Sequence, residues 1–425
     1  MTMAALPPIV GTVLAQHAAE AMHLRQVRSV LVRAAHVRLR HLGQLDERIA
    51  AHLDGLAVGG KHGATAVREA LERPDTGALF VAAVRALEEE RNDRLEDLLL
   101  VGEALPACRA GVLSAFGWVA PAKLRGLVKG LLLSASAWRR GVGLAACAMH
   151  GVDPGPVLAR FLVDDDPSLR ARALRYAGRQ ARLDQLPACL AALNDADPTC
   201  ALAAASSALL LGDRAASLDA LQTRALGEHA SEGSVEALLI ALRVLPADLA
   251  RNLLAAVINA SGPLREVIRG AGVAGDPYYV PWLLARMHEP KLARIAGEAF
   301  TSITGLDLTN PDFECESPSE LAAGPNDDPQ DTDVALDDDD SLPWPDPRKI
   351  SGWWGTHGRR FTPGTRYFMG AALTPQSCLL TLCTGSQRQR HAAAEHATLL
   401  AAGMPVFDTF APAWRQQRLL DSMAV

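Results

Sequence analysis

The best match to a ligand-binding pattern in this chain is a glycine-rich hexapeptide, Gly270-Ala-Gly-Val-Ala-Gly275. The pattern GxGxxG binds a dinucleotide when it follows a strand and opens a helix, because backbone N–H groups must then face the pyrophosphate. Here Leu264–Arg269 has helical spacing, and Asp276-Pro277 is typical of the start of another helix. The sequence therefore favours a turn between two helices over a nucleotide site.

A second glycine-rich stretch, from Gly55 to Lys61, is similar to a phosphate-binding P-loop. The residue after Lys61 is His62, whereas a P-loop needs Ser or Thr there to hold Mg²⁺. The preceding segment is amphipathic and carries charges, unlike a buried strand. We therefore do not expect an ATPase.

Histidine and carboxylate side chains cluster near the N-terminus, and His17 and Glu20 share a helical face on which a metal site is conceivable. No third ligand completes a recognisable spacing, so we interpret these residues as the polar rim of two helices. The same interpretation holds for His391, Glu395 and His396. The N-terminal group comprises His17, Glu20, His36, His41, His52 and Asp54.

Aspartates near position 330 suggest calcium binding, but an EF-hand loop needs Gly at its sixth position and Glu at its twelfth, and neither is in place. A solvated acidic loop, or a surface for a basic partner, fits better. No GxSxG elbow, HExxH helix or other nucleophile motif occurs. We therefore expect no catalytic residue, no cofactor and no metal ion, and we predict that the protein is not an enzyme.

Composition predicts an all-α fold. Of 425 residues, 49% are apolar, 21% are charged and only 5% are aromatic. Ala and Leu dominate, which suits closely packed helices, and strict alternation of β-branched residues is nearly absent. We expect roughly 55% helix or more, and no sheet beyond two short strands.

The net charge of −6 hides an uneven distribution. Residues 312–346 contain thirteen Asp or Glu and no Lys or Arg, and the remainder carries 42 basic against 35 acidic residues. Binding to nucleic acid needs a surplus of positive charge, so the total argues against it. The mildly basic remainder nevertheless leaves open an alternative function, a HEAT-like nucleic-acid-binding protein or base-excision enzyme.

The seven cysteines form no CxxC pair and no disulfide-like framework, which is typical of reduced thiols. The first residues lack a basic region ahead of their short apolar stretch, and no run reaches 18 apolar residues. We expect a cytoplasmic protein with no membrane partner.

A repeat of about 31 residues is the strongest organisational feature. Ser136, Pro167 and Pro198 lie 31 residues apart, and Pro290 lies 92 further on, one short of three periods. Two, six and ten residues beyond these anchors, every position is apolar, which marks one face of a helix. The twelve residues are Trp138, Val142 and Ala146, then Leu169, Ala173 and Ala177, then Cys200, Ala204 and Ala208, and finally Leu292, Ala296 and Phe300.

Capping and a second periodic series support this interpretation. Asp166 and Asp197 each precede a proline, which is typical of a helix start. A partner helix repeats with the same period through Leu127, Leu158 and Cys189, and through Leu131, Leu162 and Leu193. Two amphipathic helices per repeat predict a HEAT-like α-solenoid of antiparallel helix pairs in one right-handed array. Residues 206–260 fit this register less well.

We divide the chain into four segments. Residues 1–118 form an N-terminal helical region, and 119–305 form the repeat solenoid. Residues 306–349 form an acidic, Pro-rich loop. Residues 350–425 form an aromatic segment and a C-terminal helical cap, with helices over 375–384 and 388–402.

Several stretches, in order along nearly the whole chain, carry a family resemblance. They are Leu45-Asp-Glu-Arg-Ile-Ala-Ala-His-Leu-Asp-Gly-Leu56, Ala293-Arg-Ile-Ala-Gly-Glu-Ala-Phe300, Ile303-Thr-Gly-Leu-Asp307, Gly324-Pro-Asn-Asp-Asp-Pro329, Leu342-Pro-Trp-Pro-Asp346 with Trp353-Trp354, and Gln387-Arg-Gln-Arg390. On these residues the chain resembles an uncharacterised proteobacterial family of HEAT-repeat proteins often encoded beside type VI secretion genes. The resemblance implies a cytoplasmic accessory of that machine, an adaptor or chaperone that binds an effector or spike protein, and it assigns no activity to any residue.

The candidate partner-binding residues lie in the acidic and aromatic segments. They are Trp353 and Trp354, together with Asp337, Asp338, Asp339 and Asp340. Two roles stay open for the tryptophans: they anchor the returning loop on the helices, or at least one ring stays exposed to fill a partner's pocket. A third function, a metal-dependent enzyme around the N-terminal histidines, also stays open.

Overall fold

The computed structural model describes residues 10–227, 232–260, 262–318 and 339–423. The protein is about 71% helical, and the described ranges contain 22 α-helices and one two-stranded antiparallel hairpin, β1 (Tyr367–Phe368) and β2 (Ala371–Ala372). The all-α class, the helix content and the limit on strands are therefore confirmed. No described helix is both long enough and apolar enough to cross a membrane.

The chain divides into two compact units, and unit 1 comprises residues 1–176, 386–388 and 407–425. Its helices are α1 (Gly11–Leu31), α2 (Leu39–Val58), α3 (Gly60–Ala70), α4 (Thr76–Glu88), α5 (Asn92–Ala104), α6 (Arg109–Trp118), α7 (Leu127–Leu132), α8 (Ala137–His150), α9 (Val157–Phe161), the greater part of α10 (Pro167–Arg179), and α22 (Ala413–Met423). The core centres on α4, where Leu79, Phe80 and Val84 are fully buried.

Unit 2 comprises residues 177–385 and 389–406. Its helices are α11 (Leu186–Ala191), α12 (Pro198–Leu210), α13 (Ala216–Ala225), α14 (Glu232–Leu242), α15 (Ala247–Asn259), α16 (Leu264–Ala274), α17 (Val280–Arg286), α18 (Pro290–Thr304), α19 (Pro347–His357), α20 (Pro375–Thr384), and most of α21 (Gln387–Leu400). Phe300, Ile303 and Ile350 are at the centre of its core. The division between units falls inside the predicted segments 119–305 and 350–425.

The repeat anchors start helices as predicted. Ser136 caps α8, the Asp166 carboxylate accepts from the N–H of Leu169 at 2.9 Å, and the Asp197 carboxylate accepts from the N–H groups of Thr199 and Cys200. Pro290 is the first residue of α18. Of the twelve periodic positions, all but Trp138 and Leu292 are buried, and these two are half-buried. The assigned face is therefore the core face.

A buried ion pair ties the end of the chain into unit 1. Asp46, fully buried on α2, binds Arg28 of α1 at 2.5 Å and accepts the N–H of Ala413 at 2.7 Å, where α22 begins. The Arg28 guanidinium also donates to the carbonyls of Phe410 and Ala411. A buried carboxylate needs such partners, because an unpaired charge in an apolar interior is strongly destabilising.

Two helices in the C-terminal part of the chain were not predicted from the sequence. α22 lies in the region assigned to a C-terminal tail, and α19 starts at Pro347 among aromatic residues that had no assigned helix. Both are short. The first residue of α19 is Pro347, which has no N–H, and the first N–H of α22, that of Ala413, donates to the distant Asp46 carboxylate. Short helices of this kind depend on tertiary contacts, since isolated helices of such length are marginal.

Leu162 provides a test of the assigned core face. It is 3% exposed, while its neighbour Val163 is 75% exposed. We expect Leu162→Ala to lower the free energy of unfolding by about 2–5 kcal/mol, because it removes buried methyl groups and leaves a cavity. The matched control Val163→Ala should change it by less than about 0.5 kcal/mol. Urea unfolding at neutral pH measures both, and equal effects would show that the face is wrongly assigned.

His396 of unit 2 makes stability depend on pH. It is 3% exposed, its ring packs on Phe368 at 5.1 Å, and burial, with the charges of Arg243 and Arg366, lowers its pKa to about 3. Below pH 6.5 His396 is therefore protonated in the unfolded chain and stays neutral in the folded chain. The free energy of unfolding keeps its full value above that pH and falls as the pH drops towards 3.

We expect His396→Gln to remove this dependence. Between pH 6.5 and 4.5 the wild type should lose up to about 1.4 kcal/mol per pH unit more than the variant, measured by urea unfolding across the range. The exposed His62 is the control position, and His62→Gln should retain the wild-type slope. Parallel curves for the wild type and His396→Gln would contradict a neutral, buried His396.

Candidate functional site

The two tryptophans predicted to bind a partner lie on α19, which a strong cap fixes in place. The Asp346 carboxylate accepts from the N–H groups of Arg348 and Lys349, and Pro347 takes the first helical position. The same helix buries Ile350 completely. Trp353 and Trp354 are consequently held at defined positions against α18, and both are half-buried.

Trp353 is the anchoring member of the pair. Its ring stacks on His357, with centroids 4.6 Å apart and an angle of 17° between the planes, and it meets the Phe300 ring edge-on at 6.1 Å. The Arg360 guanidinium lies 5.8 Å from the same indole. Neighbours therefore occupy much of this side chain, as the anchoring interpretation predicts.

Trp354 also meets Phe300, at 6.2 Å, and it packs on Phe361 at 5.5 Å, but it lines an open groove in unit 2. The groove has a volume of about 1070 Å³. Aromatic, aliphatic and proline residues dominate its lining, which comprises Arg251, Asn252, Leu254, Ala255, Ile258, Val267, Pro277, Tyr278, Tyr279, Pro281, Trp282, Trp354, Gly355, Gly358, Arg359, Phe361 and Pro363.

Helix α15 forms another part of the groove wall. Arg251, Ala255 and Ile258 lie four and three residues apart and so share the helical face that the groove exposes. Ile258 is 48% exposed and Tyr278, beside it, is 56% exposed. Apolar side chains that remain open to solvent within a concave surface are typical of a binding site.

Asp276 holds the two walls together. Its carboxylate is 2% exposed and binds Arg251 of α15 at 2.5 Å, the N–H of Tyr278 at 3.0 Å and the N–H of Gly364 at 2.9 Å. The hydrogen bond between Arg251 and Asp276 raises the pKa of Arg251, and the Arg251 guanidinium also lies 4.3 Å from the Tyr278 ring. Three different segments of the chain thus depend on one buried side chain.

The glycine-rich hexapeptide has a structural function next to this carboxylate. Gly270 and Gly272 lie within α16, where Gly272 packs against the backbone of Ala299, so the turn predicted from the sequence occurs at Gly275 alone. Gly275 has φ +71°, and its carbonyl accepts the N–H of Tyr367 at 2.8 Å. A Cβ at this position would lie 2.4 Å from the Tyr367 carbonyl oxygen. The motif therefore brings α16 against the segment 362–368.

Arg366 fastens the same segment to two helix ends. Its buried guanidinium donates to the carbonyl of Leu242, the last residue of α14, and to those of Arg243 and Leu245 just beyond it. It also donates to the carbonyl of Ala274, the last residue of α16. Burial lowers the pKa of this arginine to about 10, which still leaves it charged at neutral pH. Positive charge at helix C-termini is favourable, because it satisfies carbonyls that have no partner within the helix.

Asp339 and Asp340, the two acidic candidates that the structure describes, are not part of the groove lining. Asp339 is 4% exposed and does not form part of an open acidic surface, because Arg265 binds its carboxylate and Arg294 donates to its carbonyl at 2.9 Å. Asp340 is exposed. Asp337 and Asp338 lie outside the described residues.

The other sequence motifs have helical surroundings. The stretch from Gly55 to Lys61 runs from α2 into α3, with no strand before it, and Gly55 packs against the His17 ring. His17 and His52 do meet, with their Nδ1 atoms 2.9 Å apart. Within the described ranges no group of three or more His, Cys, Asp or Glu side chains could hold a metal ion.

A smaller charged cleft of about 460 Å³ lies between α14, α16 and α21. Arg243 binds Glu395 at 2.8 Å, and His391 lies 3.4 Å from the other oxygen of that carboxylate. Burial alone would raise the pKa of Glu395, yet Arg243 and His391 lower it. These charges satisfy one another, so the cleft has less free binding capacity than the aromatic groove.

Substitution of Gly275 tests how the groove wall is held. Gly275→Ala should lower the melting temperature and change the wavelength of maximum tryptophan emission. The reason is that the new Cβ displaces the Tyr367 carbonyl and with it residues 358–368. The matched control is Gly364→Ala, since Gly364 also has a positive φ (+87°) but a Cβ there meets nothing within 4 Å. We expect the control to cost about 1 kcal/mol and Gly275→Ala clearly more. Equal costs would mean that the close approach is not required.

Residues up to 112 positions apart, from Arg251 to Pro363, thus line one aromatic groove, and its described lining contains two arginines and no carboxylate. Of this lining, only Trp354 had been predicted from the sequence to bind a partner, although the predicted aromatic segment 350–425 also includes Phe361. Comparison with protein-family models, with curated proteins and with solved structures finds no match to this chain.

Proposed function

We propose that the protein is a binding scaffold without catalytic activity, and that the aromatic groove of unit 2 holds a segment of its protein partner. One observation carries the proposal: Trp354, Tyr278 and Ile258 remain partly exposed in a concave surface of about 1070 Å³. Aromatic residues in such positions are frequent hot spots of protein interfaces.

The chemistry of the lining favours binding over catalysis. The lining residues that the structure describes include no His, Cys, Ser, Asp or Glu, the side chains that most often act as nucleophile, acid or base. Arginine, asparagine and aromatic rings instead supply hydrogen bonds, charge and apolar area, which together suit recognition.

We further propose a HEAT-like solenoid as the framework. In unit 2 each of α12, α14, α16 and α18 contacts the next in this series, and in unit 1 α4, α6 and α8 do the same. Neighbouring helices such as α13 and α14, or α17 and α18, also contact each other across short connections, as antiparallel pairs do. Contacts of this order support stacked helix pairs, which present extended surface to a partner.

The setting that we propose follows from the family resemblance of the sequence. The protein would be a cytoplasmic adaptor or chaperone of type VI secretion, and its partner an effector or spike protein. An apolar groove suits this function, because a chaperone must cover apolar surface that its client exposes before assembly.

A substitution that fills the groove tests the proposal. Ala255→Trp places a large ring in the groove from an exposed position of α15, while Leu249→Trp adds the same ring at an exposed position of α15 outside the lining. We expect Ala255→Trp to lose effector or spike proteins encoded nearby in co-purification from native cells, and Leu249→Trp to retain them. Quantitative mass spectrometry measures the loss, and melting temperatures check that both variants are folded.

Two outcomes would contradict the proposal. Retention of the partner by folded Ala255→Trp would show that it binds elsewhere. Failure of the wild type to capture any protein from its native cells would remove the scaffold function itself.

A further inference from the structure

We infer that the groove selects an acidic peptide segment of the partner. Apolar residues of that segment pack on the aromatic side chains of the lining, and its carboxylates bind Arg359. The inference rests on the proposed function, since it names the chemistry of the segment that the groove would hold. Charge, hydrogen-bonding capacity and a similar arrangement elsewhere in unit 2 support it.

The charge of the groove is positive. Among the described lining residues only Arg251 and Arg359 are charged, and Asp276, which pairs with Arg251, is buried. Arg359 is exposed and makes no hydrogen bond or ion pair with any residue that the structure describes. A planar guanidinium with free donors beside apolar surface binds a carboxylate well, often through two parallel hydrogen bonds.

The groove also offers hydrogen bonds to a peptide backbone. Asn252 is exposed on α15 and lines the groove, and its side chain forms no hydrogen bond within the described ranges. Its amide can donate to a backbone carbonyl and accept from a backbone N–H at the same time. Pro277, Pro281 and Pro363 have no N–H of their own, so the remaining walls favour apolar side chains.

Unit 2 already binds one acidic, aromatic segment of its own in this manner. At residues 339–346, Arg265 of α16 binds the Asp339 carboxylate, and the guanidinium of Arg294 on α18 lies 4.5 Å from the Trp344 ring. On the surface formed by α16 and α18, one arginine thus binds a carboxylate and another packs on an aromatic ring of the same segment. The groove presents the same two features, the exposed Arg359 for a carboxylate and the Arg251 guanidinium 4.3 Å from the Tyr278 ring, with no occupant among the described residues.

Defined peptides test the selectivity. The probe is a short fluorescein-labelled peptide with Leu, Pro and Trp between glutamates, and its two matched versions carry Gln or Lys in place of every Glu. Fluorescence anisotropy with the full chain should give binding of the acidic peptide about tenfold tighter than that of the Gln version, with the Lys version weaker still. The difference should shrink in high salt, because exposed charges are screened.

Charge reversal assigns the effect to one residue. Arg359→Glu should lose the preference for the acidic peptide and favour the Lys version, whereas Arg348→Glu, at an exposed position of α19 outside the lining, should behave as the wild type. Ala255→Trp should weaken all three peptides.

The results separate the inference from the proposed function. Equal binding of the Glu and Gln peptides, or a preference for Lys, overturns the acidic selectivity while peptide binding in the groove stands. If no peptide binds and Ala255→Trp retains the native partner, the groove is not the binding site and both proposals fail. Binding that is sensitive to Ala255→Trp, and that reverses its charge preference in Arg359→Glu, supports both.

Discussion

The groove depends on one buried carboxylate. Asp276 binds the Arg251 guanidinium and two backbone N–H groups, those of Tyr278 and Gly364. It therefore joins α15, the turn before α17 and the segment 362–368. Burial of a charge is costly unless it is paired and fully hydrogen-bonded, so each of these donors is needed. Removal of one partner from such a buried pair typically costs about 3–5 kcal/mol, far more than an exposed ion pair contributes.

Unit 1 solves the same problem in the same way. Asp46 is fully buried, binds Arg28, and accepts the first N–H of α22. In both units a carboxylate on one segment caps a second segment and pairs with an arginine on a third. A chain rich in Ala and Leu offers little shape variety in its core, and these directional contacts therefore specify which distant segments meet.

Small residues allow neighbouring helices to approach closely. The few aromatic side chains of the chain are concentrated at a small number of positions. Gly272 lies against the backbone of Ala299, and Gly178 lies against that of Ser207. Only 5% of the chain is aromatic, yet five aromatic residues line the groove. Their convergence is therefore a feature of this site and not a consequence of composition, and it distinguishes the groove from the charged cleft beside Glu395.

The sequence by itself determined the all-α class, the starts of the repeat helices and their core faces. These features follow from local rules: a cap and a proline fix a helix start, and apolar spacing fixes the face, so Asp197 and Ala204 could be interpreted without a structure. It also indicated that Gly270–Gly275 does not follow a strand, because the neighbouring residues have helical spacing.

Only the tertiary structure decided where the groove lies and which residues form it. Its walls come from α15 and from residues 354–363, and no local pattern relates Ile258 to Trp354. The same holds for α22, whose first N–H is bound by Asp46, 367 positions away in the chain. Long-range pairing of this kind leaves no periodic trace in sequence, because it depends on the sum of many helix contacts and on a few buried charges that can be satisfied in only one arrangement.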